Sequence, residues 1–283
     1  MNILNKLKGK VRNNKLANKL LKRVIKKAAQ VFDVDLLRLA HENMGILNYR
    51  NTDESGEQHL ISVWLTKFLK RNSVEDPFFL DIGANKGSYA KMLLGEYPEA
   101  QLLAFEPNPQ AFEQCRITLD PYPQAQVRNI GLGAEESNME LHIPENEEQS
   151  CHSSLYTEVL NEQHAYTDSR SHEVQIRYVD ELLHEGSEVH FAKIDTEGHE
   201  YDVLKGATHS IEAGNIWSIQ FEFNEMNVVS RVFLRDYFQL LDNYNFYRLL
   251  SDTVKPIEYD PRQEIFKFQN ILAVHNSKDF NHL

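Results

Sequence analysis

Cysteine is nearly absent. The 283 residues hold two, Cys115 and Cys151, with neither a Cys-x-x-Cys spacing nor a histidine cluster to complete a zinc set. A disulfide framework is therefore not expected, and a reducing, cytoplasmic setting fits best. No apolar run approaches the roughly 20 residues that a membrane-spanning helix requires. The basic N-terminus has no continuous apolar stretch after it, so a cleavable secretory leader is not expected. Internal repeats and low-complexity tracts are missing too. Acidic residues are missing from the start of the chain: residues 1–30 hold ten Lys and Arg and no Asp or Glu. The remainder carries 20 basic against 42 acidic residues, and the whole chain has a net charge of −12. So acidic a body makes a poor general binder of nucleic acid.

What is present is an ordinary globular composition, with 41% hydrophobic and 25% charged residues. That is enough for a sizeable core. In the basic segment, Leu4, Leu7 and Val11, then Leu16, Leu20, Val24 and Ala28, recur at helical spacing with a phase break near Asn13–Asn14. A basic amphipathic helix can lie on an anionic membrane surface. It can equally pack on its own domain with the lysines in water. A second helix is expected through Leu36, Leu37 and Leu39. A third presents Leu60, Ile61, Trp64, Leu65, Phe68 and Leu69 after a Ser55-x-x-Gln58 capping box. Residues 1–75 read as a helical N-terminal extension and 76–283 as the main domain.

From Phe78 onward, short apolar runs alternate with helical patterns. Strands are expected at Phe78–Ile82, Gln101–Phe105, Ala125–Ile130, Val189–Ile194 and Ile216–Phe223, with helices between them. Met139–Ile143 and Val174–Tyr178 read as an inserted ribbon flanking a polar loop, Pro144–Ser154. Two closing strands follow near Phe246–Leu250 and Phe268–Val274. The alternation implies an α/β doubly wound sheet, mostly parallel, closed at its edge by an antiparallel hairpin. Ligands of such sheets sit at the carboxyl ends of the strands.

The strand ends are informative. The first reads Asp81-Ile82-Gly83-Ala84-Asn85-Lys86-Gly87. Gly83 permits a sharp turn and close approach to a ligand, and Gly87 lets the next helix start near the strand. The second strand ends in Phe105-Glu106-Pro107. An acid there, 23 residues beyond Gly83, can take both ribose hydroxyls of an adenosine cofactor. A dinucleotide would want a third glycine where Asn85 stands, so that its pyrophosphate could reach a helix N-terminus. S-adenosylmethionine has no phosphate and carries cationic groups, which suits an acidic domain better. The fourth main strand ends in Lys193-Ile194-Asp195-Thr196-Glu197-Gly198-His199-Glu200. Asp195 is placed to end the strand and face the cleft. Glu200 falls in the first turn of the next helix, where its charge suits the dipole. Glu197 fits either a bracing or a functional role.

These three motifs together resemble the FkbM family of S-adenosylmethionine-dependent methyltransferases. Weaker matches lie at Ser153-Ser154-Leu155, Val179-Asp180-Glu181-Leu182 and Gly206-Ala207. The resemblance covers about residues 78–275 and leaves the first 75 outside. It implies a class I, Rossmann-like methyltransferase fold and O-methylation of a glycan or natural product. Carried over residue by residue, Asp81, Gly83, Ala84, Asn85 and Gly87 would line the methionine part of the cofactor. Glu106 would hold the ribose, and Asn129 with Gly131 would lie near the adenine. Asp195 and Glu197 would sit at the reaction centre. His199 is expected to be packed or solvated and not a base.

Transfer of a methyl group to an alcohol needs a base for the hydroxyl proton. Asp195 is the first candidate and Glu222, at the end of the fifth strand, the second. Asp195, Glu222 and Asn224 offer three oxygens to a Mg²⁺ ion, but no metal is required, and a hydrogen-bonded acidic pocket is the expected alternative. Ser153 and Ser154 are expected to contact the acceptor from the long loop. Two other readings compete: a nicotinamide-dependent oxidoreductase on the same scaffold, and a non-catalytic nucleoside-binding adaptor docked through its basic helix. Asn108-Pro109-Gln110 is not the Pro-Pro-aromatic motif used on base amines, which disfavours a nucleic-acid substrate.

Overall fold

The computed structural model describes residues 15–144, 154–155, 169–184 and 186–278. The chain divides into two compact units, Met1–Met44 and Gly45–Leu283. In the first, helix α1 (Lys15–Val31) is followed by α2 (Leu36–Glu42). Asp35 caps α2 by accepting from the amides of Leu37 and Arg38 at 2.8 and 3.0 Å, the short-side-chain cap that helix N-termini favour. Leu16, Leu20 and Val24 of α1 are exposed. Residues 1–14 of the expected basic segment lie outside the described residues.

The second unit begins with α3 (Thr52–Ser55), α4 (Glu57–His59), a π-helical stretch Leu60–Leu65 and α5 (Thr66–Arg71). The expected capping box on Ser55 and Gln58 is not what starts this run. Asn51 caps α3 through the Glu54 amide at 2.9 Å. Gly56, at φ 84°, then turns the chain into α4. Leu60, Ile61, Trp64, Leu65, Phe68 and Leu69 are all buried, in one cluster with Phe79, Tyr89, Phe191 and Trp217. Trp64 stacks on Phe68 at 4.8 Å. The helical run 57–71 therefore belongs to the main core. The compact unit that contains it starts at Gly45.

The main sheet has eight strands in the order β10-β9-β11-β8-β7-β1-β2-β3. They are β1 (Phe78–Ile82), β2 (Gln101–Phe105), β3 (Ala125–Arg128), β7 (Phe191–Ile194), β8 (Ser218–Phe223), β9 (Tyr244–Leu250), β10 (Thr253–Ile257) and β11 (Gln269–His275). β1 pairs in parallel with β2 and β7, and β8 pairs in parallel with β7. The crossovers carry α6 (Ser88–Glu96), α7 (Pro109–Leu119), α8 (Glu200–Lys205) and α9 (Leu234–Leu240). Parallel strands buried on both faces read as continuous apolar runs, which is why they stand out in the sequence. This is the doubly wound, Rossmann-like sheet that the resemblance implied. The closing strands are antiparallel, as expected, and their order is the new feature. β9 and β11 are adjacent and antiparallel, but β11 is inserted between β8 and β9. The edge belongs to β10, whose Pro256 lacks the amide that a central strand would need.

A second sheet, β4 (Gly131–Leu132), β6 (Ser169–Arg177) and β5 (Ser137–Pro144), forms the expected insertion. Met139↔Val174 and Leu141↔His172 fix its antiparallel register. Its core of Leu141, Ile143, Val174 and Ile176 is small. Strand order in the main sheet reverses between β1, β2 and β7, which puts the crevice at the carboxyl end of β1.

Candidate active site

A cavity opens at that crevice. It encloses about 800 Å³ of space, part of it open to solvent. Gly83, Asn85, Glu106, Gly131, Asp195 and Glu197 line it, along with Pro107, Ile130, Leu141, Leu155 and His199. The carboxyl ends of β1, β2 and β7 and the turn after β3 thus converge on one space.

The turn after β1 is tight. Gly83 has φ 81° and Asn85 φ 48°, both in the left-handed region that favours glycine and tolerates asparagine. The amides of Gly83 and Ala84 donate to the Phe105 carbonyl at 3.0 and 2.9 Å. A Cβ on Gly83 would overlap the Asp195 carbonyl oxygen and lie 2.8 Å from the Asp195 carbonyl carbon. Backbone at this point therefore forms the wall between β1 and β7. The buried Asn85 Oδ1 has no hydrogen-bond partner, which leaves one acceptor for a ligand's donor. Gly87 starts α6 at φ 79°, against Cys115. Ala84 and Gly87 shape the loop without lining the cavity.

Glu106 is buried, and its carboxylate is fixed from both sides. Oε2 accepts from the Asn85 amide at 2.7 Å and Oε1 from the Asn108 amide at 2.8 Å. Burial pushes its pKa up to about 7, against the pull of those two amides. An ionised carboxylate has about four lone-pair sites, so two stay available for a diol. Asn129 is exposed and points back to this loop. Its Nδ2 donates to the carbonyls of Glu106 and Pro107 at 2.8 and 3.0 Å. It braces the cavity wall, while Ile130 and Gly131 line it.

At the end of β7, Asp195 is partly exposed and its Oδ2 accepts from Lys193 Nζ at 2.7 Å. The next turn is held by Glu200, whose Oε1 accepts from the amides of Thr196 and Gly198 at 2.8 and 3.1 Å. Glu200 is thus a brace, as its position in the helix implied, and burial pushes its pKa up to about 7. Glu197 has φ 54°, and its carbonyl accepts from Ser154 Oγ at 3.0 Å. Ser154 is itself buried, so its hydroxyl acts on the cavity through Glu197. Ser153 lies outside the described residues. His199 is packed. Its Nδ1 is 3.4 Å from Asp202 Oδ2, and burial lowers its pKa more than Asp202 raises it.

Asp81 and Glu222 lie beside this cavity and do not line it. Asp81 is fully buried, and neither oxygen accepts a well-formed hydrogen bond. Burial pushes its pKa up to about 6, and Lys193 pulls the other way. Glu222, at the end of β8, accepts from Asn224 Nδ2 at 3.2 Å. Burial, then Asp195 and Glu197, drive its pKa well above the usual carboxylate range. Among the described residues, no three His, Cys, Asp or Glu side chains come together as a metal site, and no helix is long and apolar enough to cross a membrane.

The residues that sequence reasoning missed belong to this polar floor. Glu57 Oε1 accepts from Gln220 Nε2 at 3.0 Å, and Gln220 Oε1 accepts from Tyr89 O–H at 2.5 Å. Polar residues at buried strand positions, such as Gln220 and Asn270, were the available signal.

A family model, Methyltransferase FkbM domain, matches residues 81–247. "Methyltransferase 1" of Beauveria bassiana is 31% identical over 152 residues, 47% of this chain and 59% of its own length. "2-O-methyltransferase NoeI" of Sinorhizobium fredii is 36% identical over 67 residues, 24% of this chain and 28% of its own. "Hexuronic acid methyltransferase AglP" of Haloferax volcanii is 27% identical over 169 residues, 59% and 63% of the two chains. The chain thus spans less than two thirds of each relative's length. Among solved structures, an rRNA methylase from Streptococcus thermophilus aligns over 77% of this chain and 95% of its own at 12% identity and a TM-score of 0.40.

Proposed function

The chain belongs to the FkbM methyltransferase domain family, and from that premise we propose that it is an S-adenosylmethionine-dependent O-methyltransferase. Its acceptor is a hydroxyl of a saccharide, glycan or natural product. The observation that carries this reading is the joint presence of the Gly83 turn, Glu106 and Asp195 on one cavity. The residues fit the cofactor. Asn85 Oδ1 is a buried acceptor awaiting a donor, and the cavity is lined by carboxylates with no Lys or Arg to attract a phosphate. Two of the relatives are named for a sugar-type or 2-O methylation, which supports a hydroxyl acceptor.

When bound, S-adenosylmethionine supplies an electrophilic methyl group on a cationic sulfonium. The chain's part is to bind, orient and manage a proton. Gly83, Asn85 and the nearby Asp81 would hold the methionine end. Glu106, pre-oriented by two amides, would take the ribose hydroxyls. Ile130 and Gly131, braced by Asn129, would pack near the base. Asp195 would accept the acceptor's hydroxyl proton, with Glu222 the alternative base and Glu197 beside it. Ser154, whose hydroxyl holds the Glu197 carbonyl, would shape the acceptor side of the cavity, and Ser153 is the proposed acceptor contact. No step needs a metal.

The test is incubation of the full chain with methyl-labelled S-adenosylmethionine and a panel of hydroxylated saccharides. Label on a sugar oxygen, lost in Asp195→Asn, is expected. Label on nitrogen or carbon would contradict the reading.

The reading extends to a partner surface. α1 carries six basic residues and no acid, with Leu16, Leu20 and Val24 exposed on another face. This supports peripheral contact with an anionic membrane, where each cation contributes about 1 kcal/mol. The full chain should float with anionic but not zwitterionic vesicles, and equal flotation without residues 1–30 would remove the helix from the account.

A further inference from the structure

Beneath the cavity lies a lysine that the methyl-transfer scheme does not use. Lys193 is buried in the middle of the sheet, and its ammonium contacts Asp195 Oδ2 at 2.7 Å. It also sits 4.9 Å from the centre of the Tyr89 ring. Three carboxylates act on it: Asp195 on its own strand, Asp81 on β1 and Glu57 on α4. Glu222 on β8 feels the same ammonium. Glu57 is tied into this floor by Gln220 Nε2 at 3.0 Å and Ser55 Oγ at 2.9 Å. Gln220 in turn receives the Tyr89 hydroxyl and donates to Asn270 Oδ1 at 3.1 Å. Residue 57 lies ahead of the family match, which starts at residue 81.

A buried ammonium persists only if carboxylates compensate for its lost hydration. Burial alone would lower the Lys193 pKa, but Asp195, Asp81 and Glu57 outweigh it and hold it above the ordinary lysine value. The lysine is therefore a fixed positive charge directly behind the carboxylate that faces the cavity. A sulfonium loses its charge as its methyl group leaves. A site that attracts the cation too strongly stabilises the ground state and slows the reaction.

We propose that Lys193, backed by Glu57, is a positioning residue that orients the Asp195 carboxylate and sets how strongly the cavity prefers a sulfonium to its neutral thioether product. The proposal rests on the methyl-donor reading of the cavity. Lys193 acts through Asp195 and touches neither ligand. Glu57 comes from the helical run that the family domain does not include, so that run shapes the site's charge as well as its core.

The test is calorimetric titration of the full chain with S-adenosylmethionine and, separately, S-adenosylhomocysteine. The readout is the ratio of the two affinities, which needs no acceptor. Deleting a unit charge beside a partly buried site changes a cation's affinity by roughly five- to fiftyfold. In Lys193→Met the ratio should move by that factor toward the sulfonium. In Lys193→Arg, which keeps the charge, it should stay near wild type. In Glu57→Gln, which keeps an acceptor for Gln220, it should move the other way by roughly two- to threefold, because Glu57 acts from further off. A merely structural role would weaken both ligands together. If Lys193→Met does not fold, Glu57→Gln decides alone: a ratio shifted toward the thioether supports the proposal, and an unmoved ratio overturns it. A wild-type chain that binds neither ligand would sink the donor reading and this proposal with it. A wild type that binds both, with ratios unmoved in every variant, would overturn this proposal only.

Discussion

Replacing Gly83 by alanine probes the contact on which the cavity depends. At φ 81° the residue sits in the left-handed region, where an L side chain costs about 1–2 kcal/mol. The new methyl would lie 2.8 Å from the Asp195 carbonyl carbon and 3.4 Å from Thr196 Cγ2, with the Asp195 oxygen closer still. Non-bonded atoms rest at about 3.5–4.0 Å, and the Asp195 oxygen is the nearest, so the ends of β1 and β7 must part by more than about 1 Å. Overpacking of that kind costs about 1–3 kcal/mol. The two contributions sum to about 2–5 kcal/mol, which a domain with about 5–15 kcal/mol of stability survives. The displaced group is the base candidate, and a misplacement near 1 Å lowers a rate by about a hundredfold. Urea unfolding measures the first effect, and S-adenosylmethionine titration with methyl-transfer assays measures the second. An alanine variant within about 1 kcal/mol of wild type, with unchanged donor affinity, would refute the close approach of these two strands.

Two further outcomes follow from buried groups. Asp81, Glu106 and Glu200 have folded-state pKa values raised to about 6, 7 and 7. Unfolded carboxyls titrate near about 4, so the folded chain binds more protons between those limits. The stability these groups contribute is fully present below pH ~4 and is lost as pH rises through ~7, at about 1.4 kcal/mol per pH unit for each proton. The urea midpoint should therefore fall from pH 5 to pH 8, and less steeply in Glu106→Gln; a flat or rising midpoint would show that these carboxyls are not desolvated. Trp64→Ala should cost about 3–5 kcal/mol in urea unfolding, because Trp64 is buried in the main core; a near-neutral result would return residues 52–71 to a dispensable extension.

Much of the fold is visible in the sequence, for identifiable reasons. β1, β2, β7 and β8 are short apolar runs bounded by turn residues, and their ends carry glycine and carboxylates. Pattern also locates the apolar face of the helix that contains Trp64. It does not say what that face packs on, and so the unit's start at Gly45 could not be read. Strand order is a long-range property, so the insertion of β11 between β8 and β9 was equally hidden. β10 contains Pro256 and little apolar periodicity, which concealed a strand that pairs on one side only. The site shows the same division. Gly83, Asn85, Glu106, Gly131, Asp195 and Glu197 could be named because strand ends meet at the crevice. The side-chain directions of Asn129 and Ser154, which brace from behind, depend on packing. The link from Glu57 through Gln220 to Tyr89 joins three elements distant in sequence and appears only when they are assembled.

The central claim is that the cavity at the end of β1 binds S-adenosylmethionine. Calorimetric titration of the full chain with that compound and with NAD tests it most directly, with Glu106→Ala as the control. The account predicts a saturable heat for S-adenosylmethionine, none for NAD, and loss of the signal in the variant. Binding of NAD, or S-adenosylmethionine binding that survives in a folded Glu106→Ala chain, would contradict it.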